Sequence, residues 1–173
     1  KLTMSFPKNV GQVPLYYAAK NTGRPLLEGR WFEKFRSNYL DVDNAPLYPF
    51  GYGMSYTTFE YSPIAISATE VAAGGSVTAE VTVTNTGKVA GKEVVQMYLQ
   101  DVVGSTTRPV RELKGFEKIS LEPGESKVVK FEITPELMSH YNSNLELVAE
   151  PGEFIVSVGA DSRTKNSASF ILK

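Results

Sequence analysis

The side chains with potential for acid–base or nucleophilic chemistry are a set of glutamates and one histidine. The glutamates lie in alternating stretches or turn sequences, where a solvated carboxylate is the expected occupant: Glu112, Glu117, Glu122, Glu125, Glu150 and Glu153. His140 is the only histidine and the chain has no cysteine, so the sequence offers no histidine pair for zinc and no partner for a nucleophilic relay. We expect His140 to be a surface or half-buried residue that ends a short helix. These residues predict no catalytic centre, no metal site and no cofactor.

Charge and hydropathy exclude two further classes of partner. The 18 Lys and Arg residues nearly balance the 19 Asp and Glu residues, and no run of like charges marks a tail. Apolar runs are a few residues long, far below the roughly 20 that a membrane-spanning helix needs. Gly51-Tyr52-Gly53 has no strand–loop–helix context and no following Lys in register, so it does not indicate a phosphate loop. We therefore predict neither nucleic acid nor membrane as a partner.

A row of aromatic residues leaves two interpretations open. Tyr48, Phe50 and Tyr52 are spaced two apart, which in an extended stretch would direct them to one side, and Tyr56 and Phe59 follow. Such rings could stack on sugars, or they could fix a connector against a neighbouring domain. The surrounding prolines and glycines favour the docked connector. We expect a second aromatic cluster to pack against other domains as well. It consists of Trp31, Phe32, Phe35 and Tyr39 with Arg30, Lys34 and Arg36.

The elements that must position these residues are short strands. Residues 76–84 alternate strictly, with valines and Ala79 on one face and Thr or Glu on the other, which predicts a half-buried strand. Turn sequences such as Asn85-Thr86-Gly87, Glu122-Pro123-Gly124-Glu125 and Glu150-Pro151-Gly152 separate further strands. About eight strands are predicted, near residues 61–68, 76–84, 94–100, 111–119, 129–133, 145–148, 154–158 and 167–172.

This pattern predicts an all-β fold, an antiparallel sandwich of the immunoglobulin or fibronectin type III kind, over residues 61–173. One short helix is expected at residues 135–140, with Thr134 as N-cap and Pro135 at the first helical position. Residues 1–60 show no long periodic pattern and are expected to be a largely irregular extension. Only Leu2, Met4 and Phe6 alternate as a strand would, and we expect that strand to belong to another domain of a longer protein.

Four ordered motifs resemble one known family. The segment Pro46–Phe59, with its core Tyr48-Pro49-Phe50-Gly51-Tyr52-Gly53, resembles the passage from the second core domain of family three glycoside hydrolases to their C-terminal fibronectin type III-like domain. The following motifs resemble that domain in the same order: Val83–Gly87, Gly91–Leu99, Arg108–Lys118 and Leu121–Glu125. Upstream, Leu2–Pro7, Gly11–Pro14 and Asn21–Pro25 resemble the exit of the preceding α/β domain, most like that of bacterial periplasmic β-glucosidases.

The resemblance implies a division of the chain and a role. Residues 1–60 would be the tail of the α/β domain plus the connector, and the parent enzyme would release glucose from β-glucosides with retention, in the periplasm or outside the cell. The family's catalytic pair lies upstream of Lys1, so we expect a non-catalytic accessory domain that braces the catalytic domains of its own chain or supports oligomerisation. The alternative is a carbohydrate-binding module. A homo-oligomer and a weak carbohydrate contact stay open, and no carbohydrate-binding residue is assigned.

Overall fold

The computed structural model describes residues 1–24 and 33–173. These residues contain a 3-10 helical turn at Val10–Gln12, one α-helical turn and eleven strands: β1 Phe59–Tyr61, β2 Ala65–Ile66, β3 Glu70–Val71, β4 Val77–Asn85, β5 Gly91–Asp101, β6 Glu112–Leu121, β7 Ser126–Ile133, α1 Pro135–Met138, β8 His140–Tyr141, β9 Leu147–Val148, β10 Gly152–Gly159 and β11 Ser167–Leu172. No helix among them has the length and apolar character to cross a membrane.

Two main sheets face each other. In the first, β4 is central, with β1 and β2 along one edge and β7 along the other, and all of these pairs are antiparallel. In the second, the order is β3-β11-β10-β5-β6, antiparallel except for the short β3–β11 pair. Strands β8 and β9 form a separate small hairpin. The predicted all-β sandwich is therefore confirmed.

The core lies between the two sheets and follows the predicted alternation. Val77, Ala79, Val81 and Val83 of β4 are all buried, as are Val95, Met97 and Leu99 of β5. They pack against inward side chains of β6, β7, β10 and β11, including the stacked rings of Phe154 and Phe170. Apolar side chains of this size stabilise a fold by about 1.5–3 kcal/mol each when fully buried.

The helix prediction is partly wrong. Only Pro135–Met138 is helical, Thr134 occupies the N-cap position without a side-chain cap bond, and His140 begins β8 instead of ending the helix. His140 is also buried, at 4% exposure, whereas a surface or half-buried position was predicted. Strand β8 has only two residues, too few for a period to appear, so this placement of His140 could not be predicted.

In residues 1–24 and 33–58 the N-terminal extension is largely irregular, as predicted, but the strand predicted at residues 2–6 does not form. The chain bends at Thr3-Met4, and Phe6 makes a single isolated bridge to Tyr48. The Leu2 N–H donates to the Tyr52 carbonyl at 2.8 Å, so this stretch pairs with residues of the same chain. The division at residue 60 stays a prediction, although β1 spans that position.

Candidate functional site

The connector, residues 46–59, turns back on itself where an extended row was predicted. The Tyr52 N–H donates to the Pro49 carbonyl at 3.1 Å, and Gly51 between them has φ of +81°. A positive φ of this kind is easily adopted by glycine and strained for other residues. The turn separates the aromatic row: Tyr48 and Tyr52 stack on each other with centroids 5.0 Å apart, whereas Phe50 stacks on Tyr17 at 4.1 Å. The prediction that all three rings point the same way is wrong.

The connector rests on the outer face of the five-stranded sheet. We call this place the seat, defined by the side chains of Gln96 and Tyr98 and the backbones of Ala160 and Ser162. Gln96 is 3% exposed and Tyr98 is 0% exposed, although both are polar and lie on the face that normally meets solvent. Their burial shows that the extension covers this part of the sheet.

Hydrogen bonds at the seat hold the connector backbone in place. The Gln96 side-chain amide donates to the carbonyls of Gly51 at 3.1 Å and Ala160 at 2.5 Å, and its oxygen accepts from the Tyr98 hydroxyl at 2.6 Å. The Ser162 N–H donates to the Phe50 carbonyl at 2.9 Å. A Cβ on Gly51 would overlap the Gln96 side chain and lie 2.8 Å from the Tyr98 hydroxyl oxygen, so the fit requires glycine. Burial raises the pKa of Tyr98, which keeps its hydroxyl a donor.

A second attachment fixes the end of the connector. The Thr57 hydroxyl donates to the Asn85 side-chain oxygen at 2.6 Å, and the Asn85 amide donates to the carbonyls of Val89 and Leu121. Asn85 is fully buried, and its own carbonyl accepts from Gly124 N–H. One side chain therefore joins the connector to the two turns that follow β4 and β6.

The N-terminal segment, residues 1–24 and 33–45, adds contacts beside the seat. Lys1 forms an ion pair with the buried Glu93 at 2.8 Å. The Tyr17 ring packs edge-on against Tyr98, with centroids 6.1 Å apart. The Val110 N–H donates to the Ala19 carbonyl at 2.9 Å, and Lys20 bridges Pro109. The sandwich thus holds much of this segment by itself.

Apolar side chains of the extension remain exposed next to these contacts. The exposed set in residues 1–24 and 33–58 is Met4, Phe6, Val10, Val13, Tyr16, Phe35, Leu40, Leu47, Tyr48, Met54 and Tyr56. Tyr56 is fully exposed, and Phe59 packs partly against the core. Of the second aromatic cluster, Arg30, Trp31 and Phe32 lie outside the described residues. Phe35 is exposed beneath the Lys34 ammonium, whereas the hydroxyl of Tyr39 donates to the Pro14 carbonyl.

Sequence reasoning missed a group of buried and half-buried ionisable side chains at one end of the sandwich. We call Asp101, Arg108, Glu112, His140 and Glu150 the ion cluster. Arg108 lies 3.6 Å from Asp101 and 3.0 Å from Glu112, and the two nitrogens of His140 lie 3.9 Å from Asp101 and 3.8 Å from Glu150. Glu150 accepts from both the N–H and the hydroxyl of Ser105. Burial raises the pKa of Asp101, an effect that the nearby Arg108 guanidinium opposes.

The ion cluster corrects part of the prediction for the glutamates. Glu112 and Glu150 are half-buried and hold partners, whereas Glu122, Glu125 and Glu153 are exposed as predicted. Glu117 is half-buried and pairs with Lys127 at 2.8 Å. The described residues hold no group of three His, Cys, Asp or Glu arranged to bind a metal ion.

Comparison with known proteins identifies the family. Residues 93–162 match the model of the fibronectin type III-like domain. The periplasmic beta-glucosidase of Salmonella typhimurium is 52% identical over 99% of this chain and 22% of its own length. The chain belongs to the fibronectin type III-like regions of family three glycoside hydrolases.

Two further relatives agree with this assignment. A putative beta-xylosidase of Formosa agariphila is 46% identical over the whole of this chain and 21% of its own length. The crystal structure of a beta-glucosidase from Listeria innocua in complex with glucose superposes with a TM-score of 0.92, at 47% identity, over 98% of this chain and 24% of that one. The chain therefore spans about a fifth of the length of the curated relatives it matches.

Proposed function

We propose that this chain is the accessory region of a β-glucosidase-type glycoside hydrolase and that it braces the catalytic domains of its own polypeptide. The seat supports this proposal most strongly. A flexible linker would need no buried side-chain partner, yet the Gln96 amide donates to the Gly51 carbonyl of the connector, and Gln96 is in turn held by the Tyr98 hydroxyl. A connector held at Gly51 and Thr57 gives the preceding domain a fixed direction relative to the sandwich.

The exposed apolar side chains of the extension supply the second argument. Isolated apolar residues on a surface need no explanation, but a set concentrated in residues 1–58 marks a surface for protein contact. Since the relatives are about five times longer than this chain, the catalytic domains of the same polypeptide are the proposed occupant. Because the periplasmic beta-glucosidase is similar over nearly the whole chain, we also propose a periplasmic or secreted location.

The test uses the complete hydrolase that contains this region. Gly51→Ala should disturb the seat and so speed thermal inactivation of β-glucoside hydrolysis by about tenfold or more, because a rigid contact between domains is loosened. Gly124→Ala is the matched control, since Gly124 also has positive φ but has open space around it. Equal inactivation rates for the two variants would contradict bracing through the seat.

A carbohydrate-binding function is the second candidate, and the Tyr48–Tyr52 stack is the observation that favours it. Tyr48 keeps 41% of its surface exposed, so one aromatic face could meet a sugar ring. Titration of the chain with cellooligosaccharides or laminarin in a calorimeter decides the matter. Millimolar or tighter binding that is lost in Tyr52→Ala but kept in Tyr141→Ala would replace bracing with substrate retention as the role of this surface.

Two parts of the proposal have separate tests. The chain alone should not hydrolyse a nitrophenyl glucoside, because we assign it no catalytic residue, and measurable turnover by pure chain would refute that assignment. Support of oligomerisation is the other accessory role. Light scattering of the complete hydrolase with and without this region tests it. The same number of chains per particle in both proteins would exclude support of oligomerisation.

A further inference from the structure

His140 is a buried ionisable residue that the accessory role leaves unused. Its side chain is 1% exposed, and neither ring nitrogen makes a hydrogen bond within the described part of the chain. Burying an imidazole without hydrogen-bond partners costs free energy, so the charged groups around the ring become important.

Two carboxylates flank the ring from opposite sides. Asp101, at the end of β5, lies 3.9 Å from Nδ1, and Glu150, which follows β9, lies 3.8 Å from Nε2. Arg108 of the loop formed by residues 102–111 faces Asp101 and Glu112, and Lys114 lies 3.7 Å from Glu112. Three carboxylates thus face two permanent cations, and a proton on His140 would bring the group to neutrality.

The same groups hold loop 102–111. Ser105 donates twice to Glu150, and Arg108 is held by Asp101 and Glu112. The end of the loop touches the N-terminal segment, where Val110 N–H donates to the Ala19 carbonyl and Lys20 bridges Pro109. The ion cluster and the N-terminal segment therefore contact different residues of one loop.

We propose that His140 is a proton-dependent latch: uptake of a proton by its imidazole draws Asp101 and Glu150 together and tightens loop 102–111 against residues 19–20. Imidazole is the side chain whose charge ordinarily changes between pH 5 and 8. The proton comes from solvent and is returned to it, and no other bond is made or broken. The latch would make the hold on the N-terminal segment stronger in mild acid.

Amide hydrogen exchange of the chain, followed by NMR, tests the latch. Protection factors, which remove the intrinsic effect of pH on exchange, are compared at about pH 5.5 and about pH 8 for Val110 and Ser105 N–H. We expect protection of both amides to be about 3–10 times higher at the lower pH in the unmodified chain, and the ratio to fall to one in His140→Gln. The Ser67 N–H, which donates to Thr78 within the first sheet, is the internal reference.

Variants near the latch keep the test decisive. Glu150→Gln retains the ring but removes one flanking charge, so the pH response should shrink even if His140→Gln does not fold. Glu153→Gln changes an exposed carboxylate on the neighbouring strand and should keep the full response. A protection ratio of one in the unmodified chain, or an unchanged ratio in both His140→Gln and Glu150→Gln, would overturn the proposal.

Discussion

Gly51 and Gln96 carry most of the specificity of the connector. The glycine supplies a backbone conformation and a space that a larger residue lacks, and the glutamine supplies a donor that would be costly to bury without its carbonyl. Neither role could be read from the sequence. The spacing of the aromatic residues around Gly51 suggested an extended strand. A turn at a single glycine leaves that spacing of two unchanged, so the turn could not be recognised.

Replacing Gly51 by Ala should destabilise the isolated chain more than an equivalent change elsewhere. Strain at positive φ and overlap with Gln96 together should lower the free energy of unfolding by about 2–5 kcal/mol. Gly124→Ala has similar strain without overlap and should cost about 1–2 kcal/mol. Urea denaturation measures both, and a smaller loss for Gly51→Ala than for Gly124→Ala would contradict the described fit.

Tyr98 should make stability fall in alkaline solution. Burial raises its pKa above the unfolded value of about 10, so above that pH the unfolded chain loses a proton that the folded chain keeps. Stability from this group is therefore fully present below about pH 10 and is lost as pH rises toward the folded pKa. Burial raises the pKa of Tyr61 in the same direction.

Denaturation between pH 7 and pH 11 checks this dependence. Tyr98→Phe should cost about 0.5–1.5 kcal/mol at neutral pH, through the lost bond to Gln96, and should show a shallower alkaline decline. Tyr56→Phe alters a fully exposed ring and should follow the unmodified chain. An alkaline decline that is as steep in Tyr98→Phe as in the unmodified chain would exclude Tyr98 as a source.

At the scale of elements, strands with a clear period were predicted well, whereas β3 and β8 were not predicted. The alternation in residues 76–84 places β4 to within a residue at each end, since a half-buried strand repeats its signal over nine residues. Strands β3 and β8 have two residues each and carry no such signal. The ion cluster was missed for a related reason: Asp101 ends β5, whereas His140 and Glu150 lie at the two ends of the β8–β9 hairpin, so the three side chains meet only in the folded chain.

Asn85 is the residue on which the joined turns should depend. Asn85→Ala would leave the Val89 and Leu121 carbonyls and the Thr57 hydroxyl without their present partner, and should lower the free energy of unfolding by about 2–4 kcal/mol. Asn144→Ala, on the exposed β8–β9 turn, should change it by less than about 0.5 kcal/mol. Thermal and urea denaturation should agree. If Asn85→Ala lowers the free energy of unfolding no more than Asn144→Ala does, the turns after β4 and β6 do not depend on Asn85.

At the scale of the whole molecule, the sandwich and the extension differ in how they are held. The sandwich has a continuous core between two sheets, whereas the N-terminal segment depends on hydrogen bonds and ring contacts at a few points. The fold class followed from the sequence because alternation reports burial directly. The covering of the outer face could not be predicted from the sequence, since Gln96 and Tyr98 look like ordinary solvent-facing residues of a strand until the extension is placed over them.

Hydrogen exchange at the seat tests the central claim, that the sandwich holds the connector in one orientation, most directly. The Ser162 N–H, bonded to the Phe50 carbonyl, and the Gly51 N–H, bonded to the Leu2 carbonyl, should exchange within about tenfold of the Val81 amide in the core. Amides in residues 1–24 and 33–45 should be less protected than Val81 and Val156. Exchange of Ser162 and Gly51 as fast as that of unbonded surface amides would contradict the account, because the connector would then leave its seat freely.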